Sequence, residues 1–324
     1  MHSLYEMAEL TNDIEKAIEA LQKGEVVAVP TETVYGLAGN IYNMNAIESI
    51  FRIKQRPHYN PLIVHIHSLA QLNDVATDLP AKAYTLAAKF WPGPLTLVLP
   101  KKNTVPNLIT GGKKSIAVRM PKHSLLLKLL QALPFPLAAP SANPFNRISP
   151  TTAQHVKNYF GDEIPLILNG GACQKGIEST IVGFEGDTPI VYRLGALTLE
   201  EIEAVVGPVS ISNKKENSPD APGMLKKHYA PKTKTVMVDN VEKYVNEHGN
   251  VSIAVLTLST EVEGPNVRSS EQLSAKGVLS EAATNLYAAL HRLDALGVEL
   301  IVVERLPNLG LGKSMNDRLE RAVQ

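Results

Sequence analysis

The sequence is short of cysteine, of aromatic residues and of any surplus of one charge. Cys173 is its only cysteine, which excludes an intrachain disulfide and a cysteine-rich zinc site. Aromatic residues make up 5% of the chain, too few for the stacking platforms that hold single-stranded nucleic acid. Lys plus Arg total 32 and Asp plus Glu total 32. A protein that grips a long RNA backbone carries an excess of cations, so any anion site here must be local. Long apolar runs are absent too. The most apolar window, Leu125 to Pro140, is broken by Lys128, Gln131, Pro134 and Pro136, and nothing in it is built to span a bilayer. Met1 to Leu10 carries Glu6 and Glu9 and no apolar signal core, so the expected location is cytoplasmic. There is no His-Glu-x-x-His, no paired metal-ligand motif and no Gly-x-Ser-x-Gly elbow.

What is present is globular: 324 residues, 44% hydrophobic and 20% charged, long enough for two cores. Short Val/Ile-rich runs recur: Val26–Val29, Leu62–Ile66, Leu95–Leu99, Ile116–Val118, Leu137–Ala139, Leu166–Leu168, Thr180–Phe184 and Ile190–Tyr192. Amphipathic stretches separate them, at Asn12–Gln22, Ala46–Arg56, Ala81–Phe90, Ser124–Leu133 and Thr152–Phe160. That alternation predicts an α/β fold with a sizeable sheet. Phe184 and Ile190 are too close for a crossover helix, which predicts a mixed sheet with antiparallel pairs near its end. A polar, Pro-rich stretch from Ile211 to Thr235 reads as a linker. The expected division is 1–210, a linker or lid at 211–234, and a small α/β domain at 235–324. In that last part a βαβ-like pattern runs through Thr235–Val238, Val241–His248, Ser252–Leu258, Leu279–Leu296 and Leu300–Glu304, with a closing helix from Asp317.

Polar groups gather where the apolar strands end. Pro30-Thr31-Glu32-Thr33-Val34-Tyr35-Gly36-Leu37 follows the first of them, the place where α/β sheets hold ligands. The Thr31 and Thr33 hydroxyls suit a zwitterion, although an ordinary capped turn explains them equally. Lys54 and Arg56 close a helix before Pro57, where the macrodipole alone favours cations. Pro57 nevertheless forces the chain out of the helix, and an Arg fork beside a Lys point charge suits polyphosphates. His65 alone is more often a core histidine; alternation sets it beside Ile63 and opposite Ile66. Arg119 ends a strand, Ser141 follows another, and Ser149 or Thr151 opens a helix as its cap or as an anion site. Gly310-Leu311-Gly312-Lys313-Ser314 imitates a phosphate loop, but Pro307 stands where its first glycine belongs.

In order, Pro30–Leu37, Lys54-x-Arg56-Pro57, Asn60-Pro61-Leu62, His65, Trp91-Pro92-Gly93-Pro94, Arg119-Met120-Pro121, Pro140-Ser141-Ala142-Asn143 and Glu178-Ser179-Thr180 closely resemble the YrdC-type threonylcarbamoyl-adenylate synthases. The resemblance spans Asn12 to Gly207. Ala221–Pro231 and the tail Gly310-Leu311-Gly312…Asn316-Asp317-Arg318-Leu319 resemble the linker and C-terminal domain of that family's longer form, with Ala221 standing where a serine is usual. The resemblance implies a YrdC-like twisted mixed sheet, then a small Rossmann-like domain. It implies an enzyme that joins L-threonine, bicarbonate or CO2, and ATP into threonylcarbamoyl-AMP and pyrophosphate. A downstream transferase would pass the product to the adenosine beside the anticodon of tRNA. Carried onto this chain, threonine falls to Thr33, His65, Arg119, Ala139 and Ser179. ATP falls to Arg56, Asn60, Ser115, Ser141, Ser149, Arg193 and Tyr229, with Lys54 and Arg56 as the basic catalytic pair. Mg2+ would arrive with ATP, with no dedicated protein metal site. Direct contact with RNA would at most be weak.

Two anions must meet in this reaction, so positioning and charge neutralisation carry it. The residues identify no certain general base; His65 is a candidate better suited to orienting threonine. The linker, with Met224, Tyr229 and Lys226-Lys227 close together, is expected to lie over the site as a water-excluding lid. The alternative function is a non-catalytic RNA-binding or ribosome-associated protein using the same basic cavity. Carbamoyl transfer onto another protein is a third reading, but the chain lacks the acylphosphatase and zinc-finger regions it would require.

Overall fold

The computed structural model describes residues 8–212 and 228–323. The expected linker segment Ala221–Lys227, with Met224, Lys226 and Lys227, lies outside the described residues. In chain order, the strands of the first part are β1 (Glu9–Thr11), β2 (Val27–Val29), β3 (Gly36–Asn40), β4 (Ile63–His65), β5 (Leu95–Pro100), β6 (Ser115–Arg119), β7 (Leu137–Ala138), β8 (Leu166–Leu168), β9 (Thr180–Glu185), β10 (Thr188–Arg193) and β11 (Ser210–Ile211). Between them run α1 (Ile14–Gln22), α2 (Met44–Lys54), α3 (Leu69–Val75), α4 (Ala81–Phe90), α5 (Asn107–Thr110), α6 (Ser124–Ala132), α7 (Ala153–Phe160) and α8 (Leu199–Val206).

These strands form one 11-stranded mixed sheet, ordered β1-β8-β2-β3-β7-β4-β6-β5-β9-β10-β11. Parallel pairs β4–β6 and β5–β9 alternate with antiparallel pairs β7–β4, β6–β5 and the hairpin β9–β10. In β2 every residue is buried, with Val27 and Val29 packed among α1 and α6 residues and Ala28 in the other core layer. Burial on both faces is why that strand reads as an unbroken apolar run.

At β4, β5, β6 and β9 the period of two decides where the site lies. Val64, Leu97, Val118 and Val182 face the main core. Ile63, Val98, Ala117 and Ile181 form a separate apolar cluster on the opposite face, with Tyr192 against it. Two residues along each strand from that cluster stand His65, Thr96, Arg119 and Ser179. One sheet face therefore changes from apolar to polar along the strand direction.

The second sheet has four strands, β12 (Lys234–Val238), β13 (Ile253–Thr257), β14 (Val267–Gln272) and β15 (Leu300–Glu304), all parallel in the order β12-β15-β13-β14. Helices α9 (Val241–Glu247), α10 (Leu279–Asp294) and α11 (Leu311–Ala322) accompany it. The closing helix begins at Leu311 rather than Asp317, so it takes up the glycine-rich decoy. Lys313 pairs with Glu200 at 2.7 Å and Ser314 Oγ donates to the Gly195 carbonyl at 2.8 Å. Those residues dock the two sheets together.

Candidate active site

α2 positions the first cations. Asn43 caps it, its Oδ1 accepting from the Ala46 amide at 3.1 Å, and Gln55 ends it in the left-handed region at φ 52°. The helix thus stops at Lys54, one turn-forming residue before Arg56, which leaves it pointing elsewhere. Lys54 is fully buried, and its ammonium donates to the carbonyls of Ser141 and Asn143 at 2.5 Å each. It fastens the loop after β7 and is not among the residues that line the cavity. Arg56 does line it; Nε donates to the Asn60 carbonyl at 3.1 Å, and Nη2 to Asn60 Oδ1 at 2.6 Å and the Pro61 carbonyl at 2.8 Å. Asn60 Nδ2 is buried without a partner among the described residues.

The turn between β2 and β3 divides its two threonines. Thr31 Oγ1 accepts from the Thr33 and Val34 amides at 3.0 and 3.1 Å and donates to the Val34 carbonyl at 2.7 Å. That is a side-chain-closed turn. Thr33 Oγ1 instead accepts from Arg119 Nη1 at 2.8 Å. Arg119 Nη2 lies 2.8 Å from Glu32 Oε1, an ion pair whose angle falls short of a hydrogen bond, with both side chains buried. His65 stands beside Arg119, its Nδ1 without a partner among the described residues. Burial, then the Arg119 charge, pushes its pKa down to about 3. A neutral imidazole of such low basicity orients a ligand better than it removes a proton.

Ser179 and Arg193 close the far side. Arg193 Nε and Nη2 donate to the Ser179 carbonyl at 3.1 and 2.9 Å, and Nη2 also to Ser179 Oγ at 3.1 Å. Gly195 permits this approach, since a Cβ there would fall 2.4 Å from Ser179 C and Thr180 N. Ser149 is wholly buried and donates to Glu178 Oε1 at 2.6 Å.

Thr33, Arg56, His65, Arg119, Ala139, Ser141, Ser179, Arg193 and Tyr229 thus line one cavity, of about 50 Å3. Asn60, Ser149 and Lys54 stand just behind it through the contacts above. Ser115 does not join them. It begins β6, half-buried, beside a separate surface hollow of about 700 Å3 that Val98, Phe184 and Tyr192 also line. Three groups escaped the sequence reading as site residues: Glu32, Glu178 and His228. His228 precedes Tyr229 in the cavity, the two rings 4.0 Å apart.

The cations share one electrostatic condition. Burial, then Arg56, holds Lys54 well below the ordinary ammonium value. Burial, then Arg193, pushes Arg56 down to about 9. Burial lowers Arg193 as well, and it lowers His228 strongly, helped by Arg56, Lys54 and Arg193. Crowded cations whose proton affinity is lowered chiefly by burial suit a polyanion. Cys173 is inert by contrast: it is buried and its thiol is pushed up to about 12.

Known proteins resemble this chain in sequence and in fold. Residues 19–195 match the Sua5/YciO/YrdC family model described as telomere recombination. Residues 197–323 match the model described as the C-terminal domain of threonylcarbamoyl-AMP synthase. The chain is 41% identical over 314 residues to the threonylcarbamoyl-AMP synthase of Pyrococcus abyssi, covering 93% of this chain and 91% of that protein. It is 39% identical to the Bacillus subtilis threonylcarbamoyl-AMP synthase, covering 97% and 94%. The crystal structure of P. abyssi Sua5 complexed with L-threonine superposes with a TM-score of 0.89 at 39% identity, over 96% of this chain and 95% of that one. With both halves matched in order and nearly the whole length aligned, the chain belongs to the Sua5/YrdC family of threonylcarbamoyl-AMP synthases.

Proposed function

We propose that this chain makes threonylcarbamoyl-AMP and pyrophosphate from L-threonine, bicarbonate or CO2, and ATP, with residues 1–210 as the catalytic unit. The observation that carries the reading is the single cavity where Arg119, Thr33, His65 and Ser179 meet Arg56, Arg193 and Ser141. Arg119 clamps the threonine carboxylate, with Glu32 fixing the guanidinium from behind. Thr33, neutral His65, Ala139 and Ser179 orient the rest of the amino acid. Arg56 and Arg193 take the triphosphate, with Ser141 at its edge and Asn60 holding the Arg56 fork in plane. Lys54 acts by holding the Ser141 loop.

Adenosine runs along the apolar face of Ile63, Val98, Ala117 and Ile181 toward Ser115. At ~3.3 Å per residue, Ser115 and Arg119 are roughly 13 Å apart along β6, a span that suits an extended nucleotide. The carbamate oxygen forms its bond to the α-phosphorus as the bond to pyrophosphate breaks. Mg2+ travels with ATP, held chiefly by phosphate and water. Among the described residues no group of three or more His, Cys, Asp or Glu converges to cage a metal. Glu178 is the one carboxylate among the described cavity residues, and protein donors already occupy it.

The 50 Å3 cavity is far smaller than the roughly 300–1,000 Å3 that ligand sites offer. His228 and Tyr229 fill the remainder. The stretch that carries His228 and Tyr229 therefore withdraws to admit ATP and returns over it. A downstream transferase then carries the threonylcarbamoyl group to the adenosine next to the tRNA anticodon. Pyrophosphate release, followed with each of ATP, threonine and bicarbonate omitted in turn, tests the assignment. All three should be required, and turnover without threonine or without bicarbonate would overturn it.

A further inference from the structure

Glu178 stands at the rim of the cavity and is 6% exposed. Its two oxygens face different parts of the molecule. Oε1 accepts from Ser149 Oγ at 2.6 Å, and Oε2 accepts from Tyr287 Oη at 3.0 Å and Arg318 Nε at 3.2 Å. Tyr287 lies on α10 and Arg318 on α11, both accompanying the second sheet. Arg318 is 1% exposed, the largest of the fully buried side chains. A second thread joins the same parts. His291, one turn beyond Tyr287 on α10 and hence on the same helix face, reaches the Ser149 carbonyl at 3.2 Å. Gly176 makes this approach possible, because a Cβ there would lie 2.4 Å from the Ala283 and Thr284 carbonyls.

A buried carboxylate beside a triphosphate repels it unless a cation neutralises the carboxylate first. Arg193 donates to the Ser179 carbonyl and feels the Glu178 charge, while Arg318 pairs with Glu178 directly, at 3.2 Å, from outside the cavity. We infer that the C-terminal domain completes the ATP site: Arg318 supplies the countercharge, and Tyr287 the hydrogen bond, that let Glu178 hold Ser149 beside bound nucleotide without repelling it. Tyr287 and Arg318 are positioning residues that act through Glu178. This inference rests on the placement of the triphosphate at Arg56 and Arg193 proposed above.

The test measures Mg-ATP and threonine affinities of the full chain by calorimetry. Arg318→Met should raise the Kd for ATP about tenfold, within the range of coupled neighbours, and move the threonine Kd by less than about twofold. Glu178→Gln in the same chain removes the uncompensated charge and should return the ATP Kd to within about threefold of the unsubstituted protein. Equal weakness of Arg318→Met with and without Glu178→Gln would overturn the countercharge role, as would parallel loss of both ligands. If Arg318→Met does not fold, Tyr287→Phe removes one hydrogen bond only and should still weaken ATP severalfold; an unchanged Kd there would overturn the inference. Arg193→Ala separates the two levels. If it leaves ATP affinity intact, the placement of ATP is wrong; if it weakens ATP while the Arg318 and Tyr287 variants do not, only the inference falls.

Discussion

Removing the Tyr229 ring should make ATP bind faster and react more slowly. Tyr229 is 1% exposed, its ring 5.8 Å from that of Tyr287 and 5.4 Å beneath the Arg318 guanidinium. A tyrosine ring buries roughly 150–250 Å2, worth about 4–6 kcal/mol at ~25 cal/mol per Å2. Two features oppose this. The hydroxyl has no partner among the described residues, which costs about 1–3 kcal/mol. The backbone sits in the left-handed region at φ 65°, which costs a further ~1–2 kcal/mol. The remainder, about 1.5 kcal/mol at mid-range, favours the inserted state and corresponds to roughly tenfold. Tyr229→Ala should therefore raise the association rate of a fluorescent ATP analogue up to about tenfold in stopped flow, His228 limiting the gain. In the unsubstituted protein that rate should level off at high nucleotide, where withdrawal of Tyr229 becomes limiting. Turnover should fall in the variant, because the returned ring no longer shields the adenylate. Identical association rates, rising linearly with nucleotide in both proteins, would refute occlusion of the site.

Arg119→Ala should weaken threonine and also destabilise the fold by ~3–5 kcal/mol, because Glu32 is left buried and unpaired; adding Glu32→Gln should restore the melting temperature but not threonine affinity. Arg56→Ala should weaken ATP by ~2–5 kcal/mol with little effect on threonine, as calorimetry would show. The His155 and His291 rings stack 4.0 Å apart between the two parts of the chain. Burial, then His291 and Arg292, lowers His155 to about 3, while burial lowers His291 to about 4 against the Ser149 carbonyl and Asp294. Both are depressed below the unfolded value of about 6.5, so their contribution is whole above that pH and fades as pH falls toward 4. Thermal melts should show the decline, and Asn at both positions should flatten it. ATP binding should be accompanied by proton uptake at Lys54, because an anion nearby restores the basicity that burial lowers. Calorimetric enthalpies in two buffers of different ionisation heat should differ, and less so in Lys54→Met.

The central strands and most helices were legible because apolar periodicity states burial directly. At Ala81–Phe90, Leu166–Leu168 and Leu300–Glu304 the expected and observed bounds coincide. Other elements stayed hidden for definable reasons. β3 reads Gly-Leu-Ala-Gly-Asn, with no β-branched residue, and is a strand because β2 and β7 pair with it on either side. β14 reads Val-Arg-Ser-Ser-Glu-Gln and lies at a sheet edge, where polar composition is normal. Glycines at 310 and 312 masked the start of α11. Thr33 and Arg56, singled out by local motifs, do line the cavity. Glu178, His228, Tyr287 and Arg318 draw their roles from partners far away in sequence, and spacing carries no trace of those. Lys54 shows the same limit. Its place beside Arg56 suggests a phosphate ligand, yet it binds two carbonyls.

The balanced charge of the chain and the cationic interior of the site are two sides of one construction. Both acids beside the cavity already serve an arginine, Glu32 with Arg119 and Glu178 with Arg318. The remaining cations are satisfied differently. Lys54 donates to the carbonyls of Ser141 and Asn143, Arg56 to Asn60 and the Pro61 carbonyl, and Arg193 to Ser179. A carbonyl or amide oxygen satisfies a buried donor without cancelling its charge. Donors held this way stay oriented and keep their charge, while burial lowers their proton affinities. Had carboxylates held them, the same side chains would be equally fixed and of no use to a triphosphate. A site designed for two anionic substrates thus keeps its positive potential by hydrogen-bonding its cations to neutral oxygen, while the surface carries the charges that bring the total to zero.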